Sequence, residues 1–202
     1  MDLLKAMEQR HSVRSYEDRK ITEEHKEKLQ IFIEQCNQES GLHMQLITEE
    51  PEAFHSFMAH YGKFKGVKNY IALVGRKSME EVCGYYGEKI VLYAQQLGLN
   101  TCWVALTYNK KKAAVSIEKD EKLYLVISIG YGTTQGVYHK SKRKEDVCKI
   151  EGEVPIWFEK GITAALLAPT AINQQKFFFS LKGEQVFAKA GRGIYSKIDL
   201  EI

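Results

Sequence analysis

The run Leu123 to Ile129 (Leu-Tyr-Leu-Val-Ile-Ser-Ile) restricts the fold more than any other segment. It is rich in β-branched and apolar residues and stops at Gly130, which reads as a strand. A second compact apolar run, Asn69 to Gly75, reads as a buried strand. Between them, a long helix is expected from about Ser78 to Leu97, closed by Gly98 in a left-handed C-cap. Thr101 to Thr107 is strand-like or extended. Upstream, a short helix is expected over about Met1–Glu8, with Leu3, Leu4 and Met7 on one face. Thr22 looks like the N-cap of a helix carrying Leu29, Phe32, Ile33 and Cys36, which Ser40-Gly41 ends before a short strand over 42–48.

After Ile150 this order partly repeats. A helix through Trp157, Phe158, Ile162, Ala165 and Leu166 leads through a polar loop to a strand at Phe177–Leu181. Segments 27–36, 37–41, 42–48 and 49–54 correspond in order and spacing to 158–167, 168–175, 176–181 and 182–187. That points to an internal duplication, with one half over about 1–150 and the other over about 151–202. Two such halves could pack as the subunits of a symmetric dimer do. The 202 residues are expected to form a single domain of that kind.

With 29 basic and 26 acidic residues, the net charge is +3, too small and too mixed for a dedicated nucleic-acid binder. No apolar run approaches a membrane span, and the N-terminus lacks a signal-peptide core. Cys36, Cys83, Cys102 and Cys148 form no CxxC pair, so reduced thiols and a cytoplasmic location are expected. The histidines lack HxxxH or HExxH spacing, and no nucleophile elbow is present, so neither a metal site nor a catalytic side chain is assigned. A bound cofactor that supplies the chemistry is the better fit.

Three segments have the residue types for binding. Arg10, Ser12 and Arg14 alternate, so an extended chain would present two guanidinium forks and a hydroxyl on one face, suited to a phosphate monoester. The same residues also suit a solvated basic turn behind a helix C-terminus. Ala168 to Gln175 offers a hydroxyl and three amides, which can read a heterocycle edge or simply cap and solvate a loop. His139 to Lys144 is a basic run that could complete a phosphate pocket or lie on a solvated surface. Gly130 to Gly136 follows a strand but has GxGxxxG spacing, which keeps a Rossmann dehydrogenase only as a competing reading.

Arg10-His11-Ser12-Val13-Arg14-Ser15-Tyr16 resembles the RxSxRx(F/Y) opening of the FMN-dependent nitroreductase family. Ala94 to Val104 (AQQLGLNTCWV) resembles that family's A..LGLGTCW(I/V) segment, and Ala168 to Gln175 resembles its APSxxNxQ flavin loop. The late position of that loop is similar to the single-chain TM nitroreductase branch, in which one chain imitates the usual dimer. The implied fold is α+β: a nitroreductase-like three-layer α/β/α sandwich with a mixed central sheet and two related halves. The implied activity is hydride transfer from NAD(P)H through FMN N5 to a small acceptor such as a nitroaromatic or quinone. A flavin storage or sensor protein is the alternative.

By the same resemblance, Arg10, His11, Ser12 and Arg14 of the first half and Pro169, Thr170, Ala171, Asn173 and Gln174 of the second would bind FMN. Lys140 and Lys142 would match a basic pair at the phosphate. Val104, Ala105 and Leu106 would bring backbone N–H groups toward N5, and Lys63 would sit near the pyrimidine edge. The expected partner is a small-molecule electron acceptor, with no nucleic acid or membrane, and the expected state is a monomeric pseudo-dimer or a weak homo-oligomer. Gln175-Lys176-Phe177 departs from the family's Gln-Pro-Trp ending. The sequence also stops at Asp199-Leu200-Glu201-Ile202, where relatives usually continue through another strand, so a truncated or missing edge element is expected.

Overall fold

The computed structural model describes residues 1–150 and 152–192. The chain divides into two compact units, Met1–Val137 and Tyr138–Ile202. Residues 199–202, where the sequence suggests a truncated or missing edge element, lie outside the described residues.

In the first unit the two apolar runs pair with each other. They form β2 (Tyr70–Arg76) and β4 (Glu121–Gly130), antiparallel, with Ala72 opposite Val126 and Ile71 opposite Ile127. β1 (Gln45–Ile47) and β3 (Asn100–Val104) complete an antiparallel sheet in the order β1-β2-β4-β3. Because side chains alternate along a strand, each strand supplies two packing faces. Tyr70, Ala72, Val74, Cys102, Val104 and Val126 face a core with Val13, Tyr16, Phe54, Phe64 and Tyr108. The helix α4 (Glu80–Gln96) lies against β2, β3 and β4. Its Gly87 is a point of close approach: a Cβ there would lie 2.6 Å from the Trp103 ring and 2.9 Å from Leu73 Cδ1.

Two further helices cover α4: α1 (Leu3–Gln9), capped by Asp2, and α2 (Glu23–Ser40), capped by Thr22 and closed by Gly41 at φ 71°. A short α3 (Phe57–Tyr61), which sequence periodicity did not indicate, precedes β2. The strand expected over 42–48 is reduced to three residues, and that over 101–107 ends at Val104.

The second unit contains α5 (Lys144–Val147), β5 (Cys148–Ile150), α6 (Ile156–Leu167), β6 (Phe177–Lys182) and β7 (Gln185–Ala190). β5 pairs parallel with β6, and β6 pairs antiparallel with β7. The mixed pairing expected of the fold therefore lies in this sheet, while the first unit's sheet is wholly antiparallel. Phe158, Ile162 and Leu166 of α6 pack on Phe177 and Leu181 of β6. Strand β5 belongs to this unit, so the chain divides at 137/138, ahead of the boundary expected near 150.

Two expectations change here. The helix-then-strand correspondence holds for α2–β1 and α6–β6, but the segments that follow diverge. Phe54 and His55 close a turn on Pro51, whereas 182–187 forms the β6–β7 hairpin. These elements do not establish an internal duplication. At Gly130–Gly136, β4 is antiparallel to both neighbours and the next helix, four residues long, begins only at Lys144, so this segment does not form the βαβ unit of a Rossmann site.

Candidate functional site

The first cluster begins where α1 ends. Arg10 has extended backbone and its N–H closes the helix on Ala6, so the chain leaves α1 as an arm. Val13 N donates to Thr101 O at 3.0 Å, laying the arm beside β3. Further along, Lys65 N donates to Arg14 O, Tyr16 N donates to Lys65 O, and Glu17 N donates to Tyr131 O. Val13 and Tyr16 point into the core, which leaves Ser12 and Arg14 exposed as the alternation required. The Tyr16 hydroxyl anchors the arm from beneath, 2.7 Å from Val13 O and 2.8 Å from Ser128 Oγ.

Cys102 of β3 lies under this pair, with the Ser12 and Arg14 side chains close to its thiol. Burial pushes that thiol up, against the lowering effect of Arg14 and Ser12. Arg10 differs from the expected exposed fork: it is only 4% exposed, and its Nε lies 3.5 Å from Glu88 Oε1. His11 is half-buried beside Gly136, whose φ of 78° allows the chain to pass close to it.

Phe64 lies beside two of these segments, near Arg14 and near Gly62. The Arg14 guanidinium stands 5.9 Å from the Phe64 ring centre. Gly62 packs so tightly on Thr107 that a Cβ there would lie 2.7 Å from its side chain. Lys63, exposed and in the left-handed region at φ 61°, is thereby brought near the bend after β3. Val104 is buried at the end of that strand, while Ala105 and Leu106 are exposed beyond it. Within the first unit, Ser12 lies beside Thr101, Arg14 beside the Phe64 ring, and Lys63 follows Gly62, which packs on Thr107.

The second cluster is in the second unit and is organised by Gln175, the last of the loop's three amides. This side chain is 1% exposed. Its Oε1 accepts from Lys142 N at 2.8 Å, and its Nε2 donates to Lys140 O and to Asn173 Oδ1. Its own N–H donates to Thr170 Oγ1, and its carbonyl accepts from Lys142 Nζ at 2.6 Å. Asn173 Nδ2 also donates to Lys140 O at 3.0 Å. The basic run and the amide loop expected from sequence are therefore one hydrogen-bonded structure, into which Lys142 directs its ammonium. The Lys140 side chain is exposed.

Pro169, Thr170 and Ala171 carry the chain out of α6 half-buried. Ile172, Asn173 and Gln175 all have positive φ, at 51°, 56° and 48°. Such values are costly for a β-branched residue, and Ile172 is held there with its side chain 84% exposed. Gln174 Nε2 is buried and has no hydrogen-bond partner among the described residues.

A separate cleft of about 500 Å³ in this unit is lined by Lys144, Cys148, Ile150, Val154, Phe158 and Ile162. It contains none of the expected site residues. Among the described residues, no three His, Cys, Asp or Glu side chains cluster as a metal site would need, and no helix is long and apolar enough to cross a membrane.

Comparison with known families matches residues 2–202 to the family described as “Putative TM nitroreductase”. Among solved structures, a “putative nitroreductase” from Thermotoga maritima is similar, at TM-score 0.65 and 24% identity, over 100% of this chain and 81% of that one. A “putative nitroreductase in complex with FMN” from Desulfovibrio desulfuricans matches at TM-score 0.58 and 18% identity, over 77% and 99%. A “putative NADH oxidase” from Clostridium acetobutylicum matches at TM-score 0.55 and 19% identity, over 72% and 97%. These likenesses show the nitroreductase fold. Comparison with curated proteins found no match.

Proposed function

We infer the function from one premise: the chain belongs to the “Putative TM nitroreductase” family. On that premise we propose an FMN-dependent oxidoreductase that takes reducing equivalents from NAD(P)H and passes them to a small acceptor. FMN, when bound, supplies the two-electron redox chemistry at its N5. The chain's own groups then have to bind and orient it and stabilise negative charge.

From the first unit, the exposed Ser12 hydroxyl and Arg14 guanidinium would take the phosphate, a directional donor and a fork of matching charge. Lys63 and the backbone N–H groups of Val104, Ala105 and Leu106 would serve the ring, where fixed donors stabilise developing negative charge without reorganising. In the second unit, taken by itself, the loop of Asn173 and Gln174 offers amides of the kind that bind the polar edge of a heterocycle. The observation that supports this fit is Gln174 Nε2, a buried donor with its hydrogen bond still to be made. Gln175 and Lys142 would hold that loop in shape rather than touch the ligand.

Titration of the protein with FMN and with riboflavin, followed by quenching of flavin fluorescence, tests these roles. Arg14→Ala is expected to weaken FMN by at least about tenfold, since hydrogen bonds to charged groups contribute roughly 1.5–3 kcal/mol, and to leave riboflavin unchanged. Gln174→Ala should weaken both. Equal loss of both flavins in Arg14→Ala would contradict the phosphate assignment, and wild-type protein that binds neither would contradict the function.

A further inference from the structure

We propose that Glu88 is a positioning residue for the phosphate-binding arm, holding Arg10 with one carboxylate oxygen and Trp103 with the other so that residues 10–14 stay in register on β3. This rests on the flavin reading above.

Glu88 Oε1 lies 3.5 Å from Arg10 Nε, and Glu88 Oε2 accepts from Trp103 Nε1 at 3.0 Å. Arg10 belongs to the opening motif and Trp103 to the helix-to-strand motif, 93 positions apart in sequence. One side chain of α4 joins them. Its neighbour Gly87 lets the indole lie directly on the helix, where a Cβ would meet the ring at 2.6 Å. The indole is thus fixed by packing on one side and by the carboxylate at its N–H. The next contact along the arm, Val13 N to Thr101 O at 3.0 Å, sets which arm residues face Cys102. Those residues are Ser12 and Arg14.

A carboxylate on this arginine is otherwise hard to explain. Its negative charge offsets an arginine of the phosphate motif, which by charge alone opposes binding of an anion. Its burial is also unfavourable: desolvation pushes the Glu88 carboxyl up, against the lowering effects of Arg10 and the Trp103 N–H. An ion pair between a buried arginine and a half-buried carboxylate is better understood as fixing a geometry than as adding stability.

The two explanations predict opposite signs for Glu88→Gln, which keeps the size and removes the charge. A positioning role predicts a Kd for FMN about tenfold higher and faster hydrogen exchange at the Val13 amide without FMN. A purely electrostatic role predicts a lower Kd. Trp103→Phe removes the indole donor together with the part of the ring that packs on Gly87 and leaves the Arg10 contact in place, and it should also speed exchange at Val13. If Glu88→Gln does not fold, Trp103→Phe decides the matter on the same two readouts. An unchanged or lower Kd, or unchanged exchange at Val13, overturns the inference. Wild-type protein that takes up no FMN overturns the flavin reading instead, a failure visible before any variant is made.

Discussion

Gln175 shows how much one buried amide can organise. Removing its side chain would leave Lys142 N, Lys140 O and Asn173 Oδ1 without the partner they share. Each such loss costs roughly 1–3 kcal/mol where water cannot compensate. Gln175→Ala is therefore expected to lower stability in urea by at least about 1 kcal/mol and to speed hydrogen exchange across 168–175. Sequence could not show this role, because the partners lie 33 and 35 positions away along the chain. Glu88 was missed for the same reason, whereas Ser12 and Arg14 were legible because alternation alone exposes them. Glu88 also has a pH signature. Its folded pKa is raised above the ordinary glutamate value, so the folded state binds this proton more tightly than the unfolded chain does. That contribution is present below the ordinary glutamate range and is lost as pH rises through it toward the raised value. The stability of wild type minus that of Glu88→Gln should accordingly fall as pH rises from about 4 to 7; a difference that grows with pH would contradict the burial.

At the scale of elements, legibility followed hydrophobic pattern. β2, β4, α4 and α6 were readable because their apolar residues are concentrated in runs or spaced on one face. β7 was not, because its residues are almost all exposed and carry no burial pattern. α3 is too short to show a period. The site depends on how closely α4 lies against β3, and Gly87 sets that distance. Alanine normally favours helix over glycine by roughly 1 kcal/mol. Here the added methyl would meet Trp103 and Leu73, and overpacking typically costs about 1–3 kcal/mol. Gly87→Ala should thus show a lower midpoint in thermal unfolding despite its better helix propensity. A midpoint at or above that of wild type would show that the helix can move away without penalty.

For the whole molecule, the α+β fold and family were legible from three motifs, and the match over 2–202 places the chain in that family. The division at 137/138 was less legible, since it depends on the parallel pairing of β5 with β6, which nothing local encodes. The proposed activity requires FMN that is bound and also reducible by a nicotinamide, which separates an oxidoreductase from a protein that only stores or senses the flavin. The direct measurement is the visible spectrum of the FMN-loaded protein, without oxygen, before and after NADH or NADPH is added. The flavin bands should bleach with one of them and return when a quinone or nitroaromatic acceptor follows. Bands that persist with both nucleotides would contradict the proposed activity.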